Sequence, residues 1–241
     1  MRGHTAAGYG ALVVCALVLG ACGIREIAVP FRGDTPTATR PQSWGLPRIS
    51  IPGFGKSSSM PAEEAQCRRR LKRLGVSFRE LPPIYESAAC GIAHPVEVSS
   101  LGRTIALEPA ATLNCAMAEE AARWAQGDLA PAARMRYLTG IRTIRQMSSY
   151  SCRRINGSGQ WSEHASGNAL DIGSIELKNG RTIDVARPGF FALREKSFLK
   201  RVRAGACDHF ATVLGPGSNA DHADHFHFDL RRRSGGSRYC D

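Results

Sequence analysis

Apolar residues recur along most of the chain with the two periods that are typical of helices and of strands. The helical period predicts helices over residues 62–75, 115–126 and 198–215, and Asn114 is placed to cap the second of them. The segment PAARMRYL, residues 131–138, either continues that second helix or begins another.

Other segments have the shorter period of strands. Residues 140–151, GIRTIRQMSSYS, alternate polar and branched side chains and predict a strand. The segments NALDIGSIEL and KNGRTIDV predict a hairpin that turns at Asn179-Gly180. Shorter extended pieces, broken by proline and glycine, lie between residues 81 and 110. Helices and strands in this order predict an α+β domain with a small, mostly antiparallel sheet flanked by helices.

Residues 1–61 have the composition of an export signal followed by a tether. The uncharged run ALVVCALVLGA ends at residue 21; it is too short to span a membrane, which takes ~20 apolar residues, and it suits a signal-peptide core. It leads into Leu19-Gly20-Ala21-Cys22, which resembles a bacterial lipobox; an ordinary signal peptide cut after the small residues is the alternative. Residues 22–61 are rich in proline, glycine and serine, which predicts a tether.

This organisation predicts a signal peptide at residues 1–21, a tether at 22–61 and a folded domain at 62–241. We expect the protein to be exported to the periplasm and to contact a bacterial membrane only through a lipid anchor on Cys22.

Export changes the interpretation of the cysteines. The chain has 8 of them, and six remain when Cys15 and Cys22 are set aside. An even number in an oxidising compartment predicts three disulfides that staple the domain, and the absence of any CxxC pair argues against a cysteine metal site. The preferred pairs are Cys67–Cys90, Cys115–Cys152 and Cys207–Cys240.

The formal net charge of +11 is concentrated in three basic clusters, at residues 68–73, 200–203 and 231–233. A basic exported protein is drawn to anionic cell-wall polymers, lipid phosphates or carboxylate-rich peptides. No basic motif is interleaved with aromatic residues, so no nucleic-acid partner is expected. Taken alone, each cluster is best interpreted as a solvated helix face.

Candidate chemistry lies in two segments. In DHFHFDL, residues 224–230, strict alternation directs the phenylalanines to the core and leaves the opposite face to His225, His227 and Asp229. In SEHASGNALDIG, residues 162–173, a turn separates His164 from Asp171 and can aim both at one point. Two histidines and one carboxylate with an open fourth position are the recurrent arrangement of catalytic zinc, whereas structural zinc takes four protein ligands.

The first of these motifs has a specific resemblance. The order Ser162-x-His164-x-x-Gly167-x-Ala169-x-Asp171 resembles the SxHxxGxAxD signature of the D-alanyl-D-alanine-type zinc peptidases. That group includes the lysostaphin-type enzymes and the hedgehog signalling domain. The pair His225-x-His227 is similar to the second motif of the group, whose later histidine is the third metal ligand.

A second resemblance covers nearly the whole domain. From Cys67 to Cys240 the chain resembles the extensin-like C-terminal domain family of bacterial proteins, through the segments CGIAHPV, LNCAMAE, SYSCR, SEHASGNALDI and HADHFHFDL. Together the two resemblances imply a disulfide-stapled fold like that of the hedgehog domain and the D,D-peptidases.

The resemblance to the peptidases also implies roles for particular residues. The expected Zn²⁺ ligands are His164, Asp171 and His227. The general base would be Asp224, three residues before the last ligand, with His225 as the alternative. A regular strand would point Asp224 away from His227, so this role requires a bend at Asp224-His225.

An arginine upstream of the first motif would steady a substrate carbonyl or carboxylate. Arg153 and Arg154 are both available in SYSCRR, and Arg153 is preferred.

Two functions follow as expectations. The first is a zinc metallopeptidase, either a carboxypeptidase or an endopeptidase, that hydrolyses peptide bonds in the stem peptides of peptidoglycan. The second is a non-catalytic module that binds or supports the cell wall and retains the fold, because a fold can keep its site geometry for other purposes.

Overall fold

The computed structural model describes residues 60–186 and 193–241. The predicted signal peptide, the lipobox at Cys22 and the tether up to residue 59 lie outside the described residues. The helices are α1 (Ala62–Arg73), α2 (Cys115–Trp124), α3 (Ala130–Tyr137) and α4 (Leu193–Ala206). The strands are β1 (Ser77–Glu80), β2 (Ile84–Ser87), β3 (Cys90–Ile92), β4 (Val96–Ser100), β5 (Ala106–Leu113), β6 (Ile141–Ser148), β7 (Ala169–Leu177), β8 (Thr182–Asp184), β9 (Thr212–Leu214), β10 (Phe226–Asp229) and β11 (Tyr239–Cys240).

One sheet of nine strands organises the described residues, in the order β1-β4-β5-β6-β7-β10-β9-β11, with β8 also paired to β7. The strands β2 and β3 form a separate pair. The long strand β7 pairs with β6 along one edge, and along the other it pairs with β10 at residues 169–172 and with β8 at residues 174–176. The mixture of helices and strands agrees with the predicted α+β class.

Most strand pairs of this sheet are antiparallel, as predicted, but with nine strands the sheet is not small, and it is mixed rather than purely antiparallel. Strands β5 and β6 pair in parallel, and so do β9 and β11. Between β5 and β6 the chain crosses over through α2 and α3, and such a crossover returns the chain in its original direction. Strand periodicity in the sequence does not reveal direction, which depends on the connection.

The helices follow local signals in the sequence. Asn114 caps α2 by accepting a hydrogen bond from the backbone N–H of Met117 at 2.8 Å. A π-helical turn at Ala125–Leu129 joins α2 to α3, so the segment PAARMRYL continues the earlier helix. The predicted helix over 198–215 is too long: α4 ends at Ala206 and the chain then forms β9, whose Thr212 and Val213 are β-branched.

The aromatic part of the core lies behind β10. Phe228 is fully buried, stacks on Phe210 at a ring-centroid distance of 4.8 Å and meets Trp124 edge-on at 5.1 Å. Trp124 donates its indole N–H to the backbone carbonyl of Val202 at 3.1 Å, which ties α2 to α4. The alternation predicted for β10 is therefore present, with Phe226 and Phe228 on the core face.

Three disulfides staple the described domain, as predicted, but only one predicted pair is correct. Cys207–Cys240 is present with a Cα–Cα distance of 6.0 Å. The other bridges are Cys67–Cys115 and Cys90–Cys152, in place of the predicted Cys67–Cys90 and Cys115–Cys152. The helix α1 packs on α2, which brings Cys67 to the first residue of α2, and this contact between distant segments is not encoded in cysteine spacing. Among the described residues, no helix combines the length and the apolar character needed to cross a membrane.

The substitution Phe228→Ala is expected to lower the free energy of unfolding by about 3–5 kcal/mol, because it leaves a cavity among Phe210, Trp124 and Phe226. Urea denaturation followed by circular dichroism measures this loss. Tyr85→Ala is the control, since Tyr85 is 75% exposed and an exposed substitution changes stability by only ~0.5 kcal/mol. Equal losses in both variants would contradict the placement of Phe228 in the core.

Candidate metal centre

The pairing of β7 with β10 places two polar side chains face to face on the surface of the sheet opposite the aromatic core. In the antiparallel register Asp171 lies directly across from His227. On both strands the neighbouring side chains, including Ile172 and Phe228, point into the core. Directly opposed residues on one face have Cβ atoms ~5 Å apart, so the Asp171 carboxylate and the His227 ring are within contact distance.

A short turn before β7 supplies the second histidine. Ser162 begins it, and its hydroxyl accepts a hydrogen bond from the backbone N–H of His164 at 3.3 Å. Gly167 ends the turn with a left-handed backbone, φ +62°. The backbone carbonyl of Gly167 accepts from the N–H of Asn114 at 2.9 Å, which fastens the turn to the start of α2.

Gly167 allows this close approach because it has no side chain. A Cβ at this position would lie 2.3 Å from Cδ1 of Ile92 and 2.9 Å from the backbone nitrogen of Asn114. After the turn, Ala169 is fully buried at the start of β7, and Asp171 follows on the same strand. Ser162, Gly167 and Ala169 of the first motif therefore shape the turn and the strand that bring His164 close to Asp171.

The three residues predicted as metal ligands come together. One ligand atom from each of His164, Asp171 and His227 can be chosen so that all lie within 4.8 Å of one another. Nδ1 of His227 is 2.8 Å from Oδ1 of Asp171 and 3.3 Å from Nε2 of His164, and that Nε2 is 3.1 Å from Oδ2 of Asp171. The group could hold a metal ion.

The far nitrogens of both imidazoles have partners that fix the rings. Nδ1 of His164 donates to the backbone carbonyl of Ser149 at 2.5 Å. Nε2 of His227 donates to Oδ2 of Asp229 at 3.1 Å. Since both acceptors lack protons, each histidine carries a proton on its far nitrogen and turns the near one towards the centre. This is the donor set of a metal site, in which the second nitrogen of each histidine ligand is held by an acceptor.

The electrostatics of the group favour a cation at its centre. Burial favours the neutral acid at Asp171, yet hydrogen bonds and charges from His164 and His227 hold its pKa well below its usual range. Burial opposes protonation of His227, but its hydrogen bonds to Asp171 and Asp229 raise its pKa to about 9. A buried imidazole that retains a proton between two carboxylates marks a position where a metal cation can replace that proton.

Beside this group, His225 lies closer than Asp224. Nε2 of His225 is 3.7 Å from Oδ1 of Asp171, and its Nδ1 donates to Oδ1 of Asp224 at 2.7 Å. The chain bends at residues 223–225, as predicted, before β10 begins. The bend turns the His225 ring towards the group, while the Asp224 side chain is 59% exposed. His225 therefore lies between the group and Asp224, whose carboxylate contacts the far side of the ring.

The two candidate arginines point in different directions. Nη2 of Arg153 is 3.8 Å from Oδ2 of Asp171. The guanidinium of Arg154 instead stacks over the ring of Trp161, with its Cζ 4.4 Å from the centroid. Arg153 is the arginine that lies beside the candidate centre, in agreement with the preference drawn from the sequence.

A cavity of about 300 Å³ lies beside the candidate centre and has His227 in its wall, whereas His164 and Asp171 are not among the residues that line it. The wall is built from the segment between β6 and β7, from β9, β10 and β11, and from the loops on both sides of β10. The lining residues are Arg153, Ile155, Asn156, Ser162, Glu163, Thr212, Leu214, Asp221, His222, His225, His227, Asp229, Arg231, Arg233 and Tyr239. Burial, together with the nearby His227 and His225, lowers the pKa of His222 to about 4, so its ring is neutral at neutral pH.

Comparison with protein families identifies the chain. The family model described as extensin-like protein C-terminus matches residues 65–241. The chain belongs to this family. Neither the search of curated proteins nor the search of solved structures found a match. The membership agrees with the resemblance drawn from the sequence, and the match runs from within α1 to the residue after β11.

Some residues of this extensin-like domain escaped the sequence analysis. The alternation of β10 placed Asp229 on the same face as His227, but its contact with the far nitrogen of His227 was not foreseen. The cluster at residues 231–233 was interpreted as a solvated face, whereas Arg231 and Arg233 line the cavity. Their position depends on where the chain turns after β10, which the sequence does not indicate.

His94 and His209 have contacts away from the candidate centre. His209 lies between two carboxylates, with Nδ1 3.3 Å from Oε2 of Glu120 and Nε2 2.9 Å from Oδ2 of Asp128. His94 contacts Arg68 through its backbone carbonyl. Glu163, next to the ligand candidate His164 in sequence, accepts a hydrogen bond from Asn168.

The substitution Gly167→Ala is expected to lower the free energy of unfolding by about 2–5 kcal/mol, from ~1–2 for the left-handed backbone and ~1–3 for overpacking against Ile92 and Asn114. Chemical denaturation measures the effect. Gly157→Ala is the matched control, because Gly157 has φ +71° with no atom within 4 Å of the added Cβ, and it should show only the backbone cost. A loss in Gly167→Ala no larger than that of the control would contradict the close packing of the turn.

Proposed function

We propose that this extensin-like domain is a zinc-dependent peptide hydrolase that acts on the stem peptides of peptidoglycan. The observation that carries the proposal is the convergence of His164, Asp171 and His227 within 4.8 Å, beside an open cavity. Two imidazole nitrogens and one carboxylate oxygen are a donor set that catalytic zinc uses, with a further position taken by water or substrate. The motif resemblance to the D-alanyl-D-alanine-type zinc peptidases points to the same chemistry and to a hedgehog-like or D,D-peptidase-like arrangement.

The residues present suit hydrolysis of an amide. Zinc held by the three ligands would activate a water molecule and polarise the scissile carbonyl. His225 takes the proton from the attacking water at Nε2 and then delivers it to the nitrogen of the leaving amine. Asp224 accepts from Nδ1 of His225 and so orients the ring, and Arg153 binds the oxygen of the substrate carbonyl or carboxylate.

We also propose that the protein is exported, resides in the periplasm and is anchored through lipid on Cys22. The three disulfides support an oxidising compartment. Export brings the cavity to the cell wall, whose peptides carry the amide bonds and carboxylates that this basic protein would meet.

Metal binding is tested by loading the purified protein with zinc and measuring the bound metal by mass spectrometry. We expect about one zinc per chain, and nearly none in His164→Ala, Asp171→Ala or His227→Ala, because each substitution leaves two protein ligands. His94→Ala is the matched control and should retain the metal. Loss in the control, or full occupancy in the ligand variants, would contradict the assigned site.

Activity is tested by incubating purified muropeptides with the zinc-loaded protein and identifying the products by mass spectrometry. A new pair of products whose masses sum to the substrate plus water supports hydrolysis, and the masses give the bond. A zinc-loaded protein that leaves every muropeptide intact but sediments with isolated sacculi would instead support the non-catalytic wall-binding module.

The general base is assigned by a double-mutant cycle. His225→Ala is expected to lower kcat by ~10²–10⁴-fold, the usual loss for a general base, while zinc content stays unchanged. Asp224→Asn should cost less in the native background and nothing further in His225→Ala, because Asp224 acts through the ring. An additional large loss in the double variant would show that Asp224 acts on the water directly.

A further inference from the structure

Two arginines in the wall of the cavity carry charge that no neighbouring carboxylate neutralises. Arg231 and Arg233 share the cavity with His225 and His227. Within residues 60–186 and 193–241, no carboxylate oxygen lies within 4.0 Å of either guanidinium. Other arginines of the described domain have such a partner, as Arg70 has in Glu119 at 2.7 Å; what sets Arg231 and Arg233 apart is that they lack one in the wall of the cavity beside His227.

Neutral acceptors hold both guanidinium groups in place. Nη2 of Arg231 donates to the side-chain oxygen of Gln160 at 2.7 Å. Arg233 donates through Nη1 to the backbone carbonyl of Ala211 at 2.8 Å and through Nη2 to the hydroxyl of Thr212 at 2.7 Å. Because these acceptors carry no net charge, they orient the two cations without cancelling them.

Three acidic side chains lie in the wall of the same cavity, but none of them pairs with either guanidinium. Glu163 accepts from the amide of Asn168 at 2.7 Å. Asp229 accepts from Nε2 of His227 and from the backbone N–H of Arg231. The third carboxylate, on Asp221, is exposed to solvent. The contacts of these carboxylates thus lie elsewhere, and an anionic group of a ligand can supply the direct partner that Arg231 and Arg233 lack.

The carboxyl-terminal segment fixes this part of the wall. The backbone N–H of Tyr239 donates to the carbonyl of Ala211 at 2.8 Å, the same carbonyl that binds Arg233. Strand β11 pairs with β9, and the disulfide Cys207–Cys240 ties its last cysteine to the end of α4. The arginines therefore project from a stapled surface, and an ordered surface loses little entropy when it binds a ligand.

We propose that Arg231 and Arg233 form a carboxylate-binding subsite next to the candidate metal centre, which selects peptides that carry a free carboxylate near the bond to be cleaved. The planar fork of arginine matches a carboxylate in two parallel hydrogen bonds. A cavity of about 300 Å³ is at the small end of ligand sites, so the carboxylate and the scissile amide belong to neighbouring residues of one peptide. This inference rests on the proposed function for the cleavage step, but not for the binding of the carboxylate.

The carboxylate can come from the peptide terminus or from an acidic residue within the peptide. Three short stem-type peptides distinguish these sources: one with a terminal carboxylate only, one with an amidated terminus and a single internal carboxylate, and one with neither. Their affinities for the purified full chain are measured by calorimetry in the presence of a chelator, so that no peptide is cleaved and no metal contributes to the binding.

At least one carboxylate peptide is expected to bind ~10-fold or more tightly than the neutral peptide, since hydrogen bonds between charged groups are stronger than those between neutral groups. Arg231→Gln and Arg233→Gln should each remove most of that difference and leave the affinity for the neutral peptide unchanged. Arg232→Gln is the matched control, because Arg232 lies between them in sequence but is not among the residues that line the cavity; it lines a neighbouring depression, to which Arg231 also contributes.

The proposal is overturned if all three peptides bind alike, or if Arg232→Gln has the same effect as its neighbours. Thermal unfolding is recorded for each variant; if Arg233→Gln loses its fold with its bonds to Ala211 and Thr212, Arg231→Gln alone decides. Carboxylate selectivity without any muropeptide cleavage would refute the proposed hydrolase and keep the subsite. If neither substitution changes the cleavage of muropeptides, the subsite is refuted and the proposed hydrolase is kept.

Discussion

In the antiparallel pair of β7 and β10, Asp171 lies opposite His227, and the candidate site depends on this register. A slip of β10 by one residue would turn His227 into the aromatic core and bring Phe226 or Phe228 to the site. The register is secured from behind, because Phe228 is enclosed by Phe210 and Trp124 and tolerates no displacement without a cavity. Apolar packing on one face of the sheet thus determines the polar geometry on the other.

Local chemistry explains which parts of this arrangement the sequence predicted. The turn from Ser162 to Gly167 needs a capping hydroxyl and a left-handed glycine within a few residues, and both leave marks in the sequence. The alternation of β10 is equally local. Contacts between distant segments leave no such marks: the bridges Cys67–Cys115 and Cys90–Cys152 depend on how α1 meets α2 and where the chain goes after β6. The parallel pairing of β5 with β6 likewise depends on an intervening crossover.

The difference between local signals and contacts between distant segments also separates the parts of the site that the sequence predicted from those that it did not. His164, Asp171 and His227 belong to spaced motifs, whereas the contact of Asp224 with the far side of His225 depends on how the bend before β10 orients two adjacent side chains. Arg233 reaches the cavity because the chain after β10 folds back over β9, where Ala211 accepts its hydrogen bond. A basic tripeptide near a terminus has no period from which that path could be inferred.

Burying the polar side chains of the candidate site costs free energy, and the fold alone does not explain why they are there. Two imidazoles and the carboxylates of Asp171 and Asp229 lie on the sheet at contact distance, where hydrophobic side chains of similar volume would stabilise the fold at least as well. In the absence of a metal, the proton on His227 compensates part of the negative charge, which is why its pKa is raised to about 9. A divalent cation would compensate more of that charge and satisfy the lone pairs that face the centre. The aromatic core therefore supports a buried polar group that is not itself a source of stability and that could hold a metal ion.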